Sequence, residues 1–336
     1  MKVGLFWDSA ININSYYVKN GVAYDYSKNE PYIYHHSMSP ECYPATHNLQ
    51  FLWESGHFLN LSEWVDKDID FPDLDLDVIF YACERQGLDD ENWDDYSVER
   101  LKRRYPNTKI IGYIKEVYVR EGRENNRINF FKECDGIHGE AYSYHKTLDE
   151  YLKLEKLTGH KINWHPQPLN IDYYYDKFYS DEKINGIYAY LPNPIHRRGR
   201  TYEFAEYISN KYDLSVYYKP LERGQKFDYI SQSDFVKMWS PYLYHFNLDP
   251  IKIHPGGQCM QVASVGSINI GGLNEAHHYL YPETATCDEK ILEDRIVEYL
   301  NNPEKRFQVI QNAWNKLNEI HSFNNIKSIL EKFYKN

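Results

Sequence analysis

Short apolar runs alternate with polar, helix-length segments along most of the chain. The runs Val3–Trp7, Asp77–Ala82, Lys109–Ile114, Cys134–His138 and Lys161–His165 are each long enough for a buried strand. Between them Ser97–Arg104 reads as a helix, with Ser97 as N-cap and arginines charging its last turn. Thr147–Leu157 reads as another, ended by Gly159. Residues 11–60 show little periodicity, except that Leu49, Leu52, Trp53 and Phe58 fall at near-helical spacing and predict a helix from about Thr46 to Leu59. Pro166-Gln167-Pro168 closes this series, and 170–183 reads as a polar connection.

The alternation restarts at Ile184. Strands are expected at Ile184–Tyr190, Leu214–Tyr218, Ile251–Ile253 and Ser267–Ile270, with helices at Thr201–Lys211, Ser231–Trp239 and Gln258–Val265. Asp288–Leu300, Pro303–Glu319 and Asn324–Phe333 close the chain as helices. Strand followed by helix, several times over, predicts parallel sheets with crossover helices. The restart predicts two α/β domains, 1–172 and 173–336.

The totals narrow the class. The chain has 336 residues, 42% hydrophobic and 26% charged, which is a globular balance. No apolar run reaches the roughly 20 residues needed to span a bilayer. The apolar stretch after Met1 is too short for a signal peptide and reads as a first strand. Five scattered cysteines with no C-x-x-C pair argue for reduced thiols in a cytoplasmic compartment and against a structural zinc. A formal charge of −11 disfavours nucleic acid as a general partner. A local patch built from Lys102-Arg103-Arg104 with Arg120, Arg123 and Arg127 keeps that partner open, against the alternative of a solvated helix face. The 33 tyrosines suit wet clefts and sugar-stacking surfaces, or reflect a compositional bias of the source genome.

Candidate chemistry gathers where strands give way to helices. His254-Pro255-Gly256-Gly257 stands between a strand and a helix, and paired glycines there let backbone N–H groups approach an anion. The alternative is a plain corner. Arg197, Arg198 and Arg200 precede a helix, and Lys219 directly follows a strand; guanidinium forks in such places suit phosphate. Asp8, Glu116 and His138 each follow or end an apolar strand in the first half, and are the candidates for a catalytic base. Each also reads as a cap or surface residue. Asp73, Asp75 and Asp77 form an Asp-x-Asp series, but they lie at the entrance of a strand, whereas a metal–diphosphate pair is expected at a strand's exit.

From Cys134 onward the order of elements resembles the GT-B glycosyltransferases. The resemblance is carried by Lys161–Pro168, by the stretch after Tyr190 (LPNPIHRRGRTYEFAEYI), by Gly256–Gly266, and by Leu280-Tyr281-Pro282-Glu283 with the helices over 288–320. It implies two Rossmann-like domains facing a central cleft, with C-terminal helices. It also implies transfer of a sugar from a nucleotide diphosphate sugar, with a UDP-linked donor expected, to an acceptor hydroxyl and with no cofactor; the placement of Asp73, Asp75 and Asp77 adds the expectation of no metal. The donor would then meet Arg197, Arg198, Arg200, Lys219, Gly256, Gly257, Gln258 and Gln261, and the acceptor Arg120, Arg123 and Arg127. Many members carry two glutamates eight residues apart, the second on the ribose; this chain has Ile253 and Gln261 there. The acceptor implied is a glycan, a lipid-linked sugar or a modified DNA base, as in phage DNA glycosyltransferases. The rival class is a non-catalytic sugar- or nucleotide-binding protein of two domains.

Overall fold

The computed structural model describes residues 1–8, 15–20, 22–26, 28–30, 55–65, 70–83, 97–114, 124–140, 149–189, 199–217, 232–248, 250 and 257–335. Residues 8, 55, 62, 65, 83, 124–127, 150, 199 and 232–233 are described through their backbone only. The described residues fall into two compact units. Those within 1–33, 46–168 and 323–336 form the first, and 169–322 the second. The division comes at Pro168–Leu169 rather than at 172–173, and the last fourteen residues group with the first unit, not the second.

In the first unit, strands β1 (Val3–Asp8), β2 (Tyr16–Lys19), β3 (Val22–Asp25), β4 (Ser55–Asn60), β5 (Val78–Cys83), β6 (Lys109–Ile114), β7 (Gly136–Glu140) and β8 (Ile162–His165) form one sheet in the order β3-β2-β4-β1-β5-β6-β7-β8. From β4 to β8 neighbours run parallel, and β2 and β3 add an antiparallel hairpin at one edge. Val3, Leu5, Phe6 and Trp7 are all buried, as expected of a parallel strand covered on both faces. Helices α1 (Leu61–Val65), α2 (Val98–Arg104), α3 (Glu124–Glu133) and α4 (Asp149–Thr158) connect or follow these strands. Ser97 caps α2 by accepting from Arg100 N at 3.3 Å.

The predicted helix over 46–59 is overturned for the described part of that range. Ser55–Asn60 pairs in parallel with β1, from Val3 opposite Gly56 to Trp7 opposite Asn60. Phe58 then packs its ring on Tyr16 of β2 at 4.9 Å. Cross-strand aromatic packing of this kind outweighs a near-helical spacing of four residues.

The second unit is built on a wholly parallel sheet of β9 (Ile184–Ala189), β10 (Ser215–Tyr217), β11 (Tyr242–Phe246) and β12 (Ile268–Ile270), in the order β10-β9-β11-β12. Its helices are α5 (Ile171–Phe178), α6 (Gly199–Tyr212), α7 (Gln232–Trp239), α8 (Gly257–Ser264), α9 (Glu275–Leu280), α10 (Glu289–Asn301) and α11 (Pro303–His321). Helix α5 replaces the expected polar connection. Asn170 caps it by accepting from Tyr173 N at 3.2 Å, and Ile171, Tyr174 and Phe178 fall on one buried face at helical spacing. The strand expected at Ile251–Ile253 lies outside the described residues.

The chain ends in α12 (Phe323–Tyr334), which packs within the first unit. Ile326, Leu330 and Tyr334 recur every four residues on its buried side. The Tyr334 ring lies 5.5 Å from Phe80 of β5, and its hydroxyl is 2.7 Å from Nδ1 of His138. No helix among the described residues is long and apolar enough to cross a membrane.

Candidate functional site

Parallel sheets put their ligands at the C-terminal ends of the strands, where loops and helix N-termini gather. In the second unit that edge begins with the exits of β11 and β12. Gly271 and Gly272 follow β12 at φ of +85° and +98°, conformations that side-chain-bearing residues rarely adopt. Asn247 N donates to Ile270 O at 2.9 Å, and a Cβ on Gly272 would lie 2.8 Å from the Asn247 carbonyl oxygen. Two helix openings are tied to the same place. Leu248 N donates to Thr201 Oγ1 in the first turn of α6 at 3.1 Å, and Asn247 Nδ2 donates to Gln258 Oε1 in the first turn of α8 at 3.1 Å.

A buried polar triad holds the glycine turn from below. Thr284 Oγ1 donates to Asn269 O at 2.6 Å, so it accepts from the His277 Nε2 proton at 3.1 Å. His277 Nδ1 is then the acceptor for Asn269 Nδ2 at 3.0 Å. Gly271 N donates to Thr284 O at 3.1 Å, which joins the triad to the turn.

In the first unit the corresponding edge holds the ends of β6, β7 and β8. Glu140, 7% exposed, is the last residue of β7 and stands opposite His165 of β8 in the register. The Tyr113 hydroxyl lies 3.1 Å from Glu140 Oε2 and 3.0 Å from His165 Nε2. His165 Nδ1 donates to Pro166 O at 2.6 Å, so in the neutral ring Nε2 is an acceptor. Tyr113 has one proton for two acceptors. When Glu140 takes up a proton it can donate to Tyr113, and Tyr113 can donate to His165. Glu140 thus stands at this strand-end edge as the candidate proton acceptor.

Burial holds His138, His165, His245 and His277 neutral. His165 is pushed down to about 4, His245 and His277 to about 3, and His138 well below 6.5, in each case first by desolvation. In the unfolded chain each titrates near 6.5, so between that value and the lower ones the unfolded state binds more protons. Stability from these groups is full above about pH 6.5 and is lost as pH falls towards 4. Thermal melts are expected to show Tm falling steadily from about pH 7 to about pH 4; a flat profile would contradict neutral burial.

Several expected site residues take other places. His138 is fully buried within β7, its ring 4.8 Å from His165 and 5.7 Å from Phe80, with Nδ1 on the Tyr334 hydroxyl. A base must reach its substrate, so His138 is a core group and not the catalytic base. Gln261 is 5% exposed and donates from Nε2 to the Tyr174 hydroxyl of α5 at 2.6 Å, which turns it into the unit rather than towards a ribose. Arg200 sits in the first turn of α6, exposed, with its guanidinium on Glu289 of α10 at 2.8 and 2.9 Å. Gly257 and Gln258 open α8, as expected. Asp8 ends β1 opposite Cys83, and Arg127 lies on α3; only their backbones are described. Glu116, Arg120, Arg123, Arg197, Arg198, Lys219 and Gly256 lie outside the described residues.

Lys102 and Arg104 of the expected basic patch and the aspartate series sit at the opposite edge of the first sheet. Lys102 Nζ donates to Asp135 Oδ1 at 2.8 Å and to Glu133 O at 2.7 Å, and Arg104 Nε donates to Phe71 O at 2.9 Å. Helix α2 leads into the start of β6, and these bonds tie Lys102 and Arg104 to the segments beside it, while Arg103 is exposed and pairs with Glu99. Asp77 accepts from Lys2 N at 2.7 Å, and Asp75 pairs with Lys2 Nζ, at the entrance to β5. Among the described residues no group of three or more His, Cys, Asp or Glu side chains is placed to hold a metal ion.

Sequence reasoning missed Glu140, Tyr113 and His165 as a group. It ended the strand at His138, whereas pairing with β8 carries β7 two residues further. Asn247 was missed because the strand before it, Tyr242–Phe246, was not expected.

No family model and no curated protein matches the chain. Among solved structures it is similar to an alpha-glucosyltransferase in complex with UDP-glucose and DNA containing an abasic site, at 10% identity and a TM-score of 0.64 over 100% of both chains. A similar match is an alpha-glucosyltransferase in complex with UDP and a 13-mer DNA containing a HMU base, at 10% identity and a TM-score of 0.65 over 100% of this chain and 99% of that one. HepE of Anabaena, in complex with UDP and glucose, matches at 7% identity and a TM-score of 0.50 over 82% of this chain and 81% of that one. The mixed α/β fold is that of the GT-B glycosyltransferases.

Proposed function

We propose that this GT-B chain is a glycosyltransferase that moves a hexosyl group from a UDP-linked donor to a hydroxyl on a modified base in DNA. The observation that carries the reading is the strand-end edge of the second unit, where Gly271-Gly272, Asn247 and the openings of α6 and α8 converge. It lies in a fold shared end to end with alpha-glucosyltransferases bound to UDP and DNA. Free N–H groups and the dipole of a helix opening favour a diphosphate, and they stabilise the charge that builds on it as the sugar leaves.

Transfer forms a bond from the acceptor oxygen to the sugar's anomeric carbon and breaks the bond to the donor phosphate, which departs with the electron pair. The acceptor proton goes to Glu140, the carboxylate that ends β7 beside Tyr113 and His165. Gly257 and Gln258 serve the donor in this scheme. Of the arginines first assigned to it, Arg200 would have to leave Glu289 to take part.

A resident metal is not part of the proposal, because the Asp73–Asp77 series lies at the wrong end of its strand. A cytoplasmic setting, expected from the scattered cysteines, belongs to the same reading.

The test is incubation with UDP-glucose and duplex DNA containing a hydroxymethylated pyrimidine, with and without a chelator. DNA heavier by one hexosyl residue in both conditions is the expected result. If no donor supports transfer, the DNA reading fails. If transfer stops on chelation and returns with Mn²⁺, metal independence fails.

A further inference from the structure

Asn247 stands just beyond β11 and is held from three directions. Its backbone N–H donates to Ile270 O at 2.9 Å, its side-chain Nδ2 donates to Gln258 Oε1 at 3.1 Å, and its carbonyl oxygen closes against Gly272, where a Cβ would meet it at 2.8 Å. The residue is 6% exposed. Its Oδ1 is nevertheless buried and accepts no hydrogen bond from any described group. A fixed, buried amide oxygen with no donor costs the fold free energy that a made bond would return. Such a group persists where a partner arrives later.

Asn269 also keeps an unpaired Oδ1. It lies within β12, however, and its nitrogen is committed to His277 and Gly271 beneath the turn. Asn247 is the one placed past a strand end and against the opening of α8.

We infer that Asn247 Oδ1 accepts a hydrogen bond from a neutral donor group of the bound nucleotide, either a ribose hydroxyl or the imide N–H of a uracil-type base. The inference rests on the donor-site reading above. An ionised diphosphate offers acceptors only, so it cannot be the partner. Asn247 therefore reads the nucleoside, while the helix openings meet the phosphates. It makes the site selective, because a nucleotide lacking that donor leaves the buried oxygen unpaired.

The experiment is calorimetric titration of the full chain and of Asn247→Leu with UDP, 2′-deoxy-UDP, 3′-deoxy-UDP and N3-methyl-UDP, with thermal melts of both proteins without ligand. Leucine matches the shape of asparagine and removes both polar atoms, and water replaces the lost partner of the half-buried Gln258. Asn247→Leu is expected to bind UDP about 10- to 100-fold more weakly, the usual cost of losing a buried hydrogen bond. One of the three analogues should bind wild type equally weakly, and lose nothing more on Asn247→Leu. Which one it is separates ribose from base. The ligand-free melting temperature of Asn247→Leu should equal or exceed that of wild type, since the change removes an unsatisfied acceptor; a structural asparagine would lower it and leave affinity unchanged.

If wild type binds all four nucleotides equally, the inference is overturned whatever the variant does. If wild type binds UDP and Asn247→Leu binds it as tightly, the inference falls and the donor site stands. If wild type binds no nucleotide, the donor-site reading itself fails.

Discussion

Gly272→Val is expected to abolish donor-nucleotide binding and to lower Tm. The residue has φ of +98°, and a side chain there is strained by about 1–3 kcal/mol. The added Cβ would also stand 2.8 Å from the carbonyl oxygen of Asn247, which is backbone held by its bond to Ile270 and cannot give way cheaply. Overpacking of this kind adds roughly 1–3 kcal/mol. Any relief moves Asn247, and with it the bond to Gln258 at the opening of α8. Gly159→Ala is the control, because Gly159 has φ of +76° with nothing near its missing Cβ. It should show a smaller loss of stability and unchanged nucleotide affinity. Equal effects from both changes would mean that the Asn247 contact is unimportant.

Glu140→Gln is expected to reduce kcat by about 100- to 10,000-fold, the usual span for loss of a general base, with little change in donor affinity. The fold should not suffer. Glutamine donates to Tyr113, Tyr113 is then free to donate to His165, and both bonds open to the protonated acid are present. Tm should therefore match or exceed that of wild type. Tyr113→Phe should give a smaller loss of kcat, since it breaks the relay and leaves the carboxylate. A Glu140→Gln protein with wild-type turnover would remove Glu140 from the chemistry.

Much of this architecture was legible in the chain because its strands are buried on both faces. Val3–Trp7, Ile110–Ile114 and Ile187–Ala189 announce themselves as continuous apolar runs, and Ser97 marks a helix start by its own chemistry. Tertiary contacts decided the rest. Phe58 and Leu59 look helical with Leu52 and Trp53, but the edge of β1 takes Ser55–Asn60 as a strand. The run of tyrosines after Asn170 hides an amphipathic helix, because Tyr174 is buried while Tyr175 is exposed. The return of α12 to the first unit follows from contacts such as Tyr334 on Phe80 and His138, which no local pattern contains.

The candidate site was legible in outline only. Gly257 and Gln258 open a helix at a strand-end edge, as the glycine pair suggested. Gln261 and His138 have the right chemistry, yet both point into packed interiors, where Gln261 meets Tyr174 and Nδ1 of His138 meets Tyr334. Sequence spacing fixes which residues share an element, not which face a neighbouring helix will cover. Glu140 and Asn247 gain their meaning from cross-strand partners far away in the chain.

A non-catalytic binding protein would use the same strand-end edge, so binding and turnover must be read together. The most direct test is calorimetric titration with UDP-glucose, followed by product analysis of the same sample over hours. The account predicts saturable binding at one site per chain, strongly weakened in Gly272→Val, and slow release of glucose with UDP as co-product that is lost in Glu140→Gln. Binding without any release would leave a binder rather than an enzyme. No binding of UDP-glucose, UDP or any other nucleoside diphosphate would contradict the account at its centre.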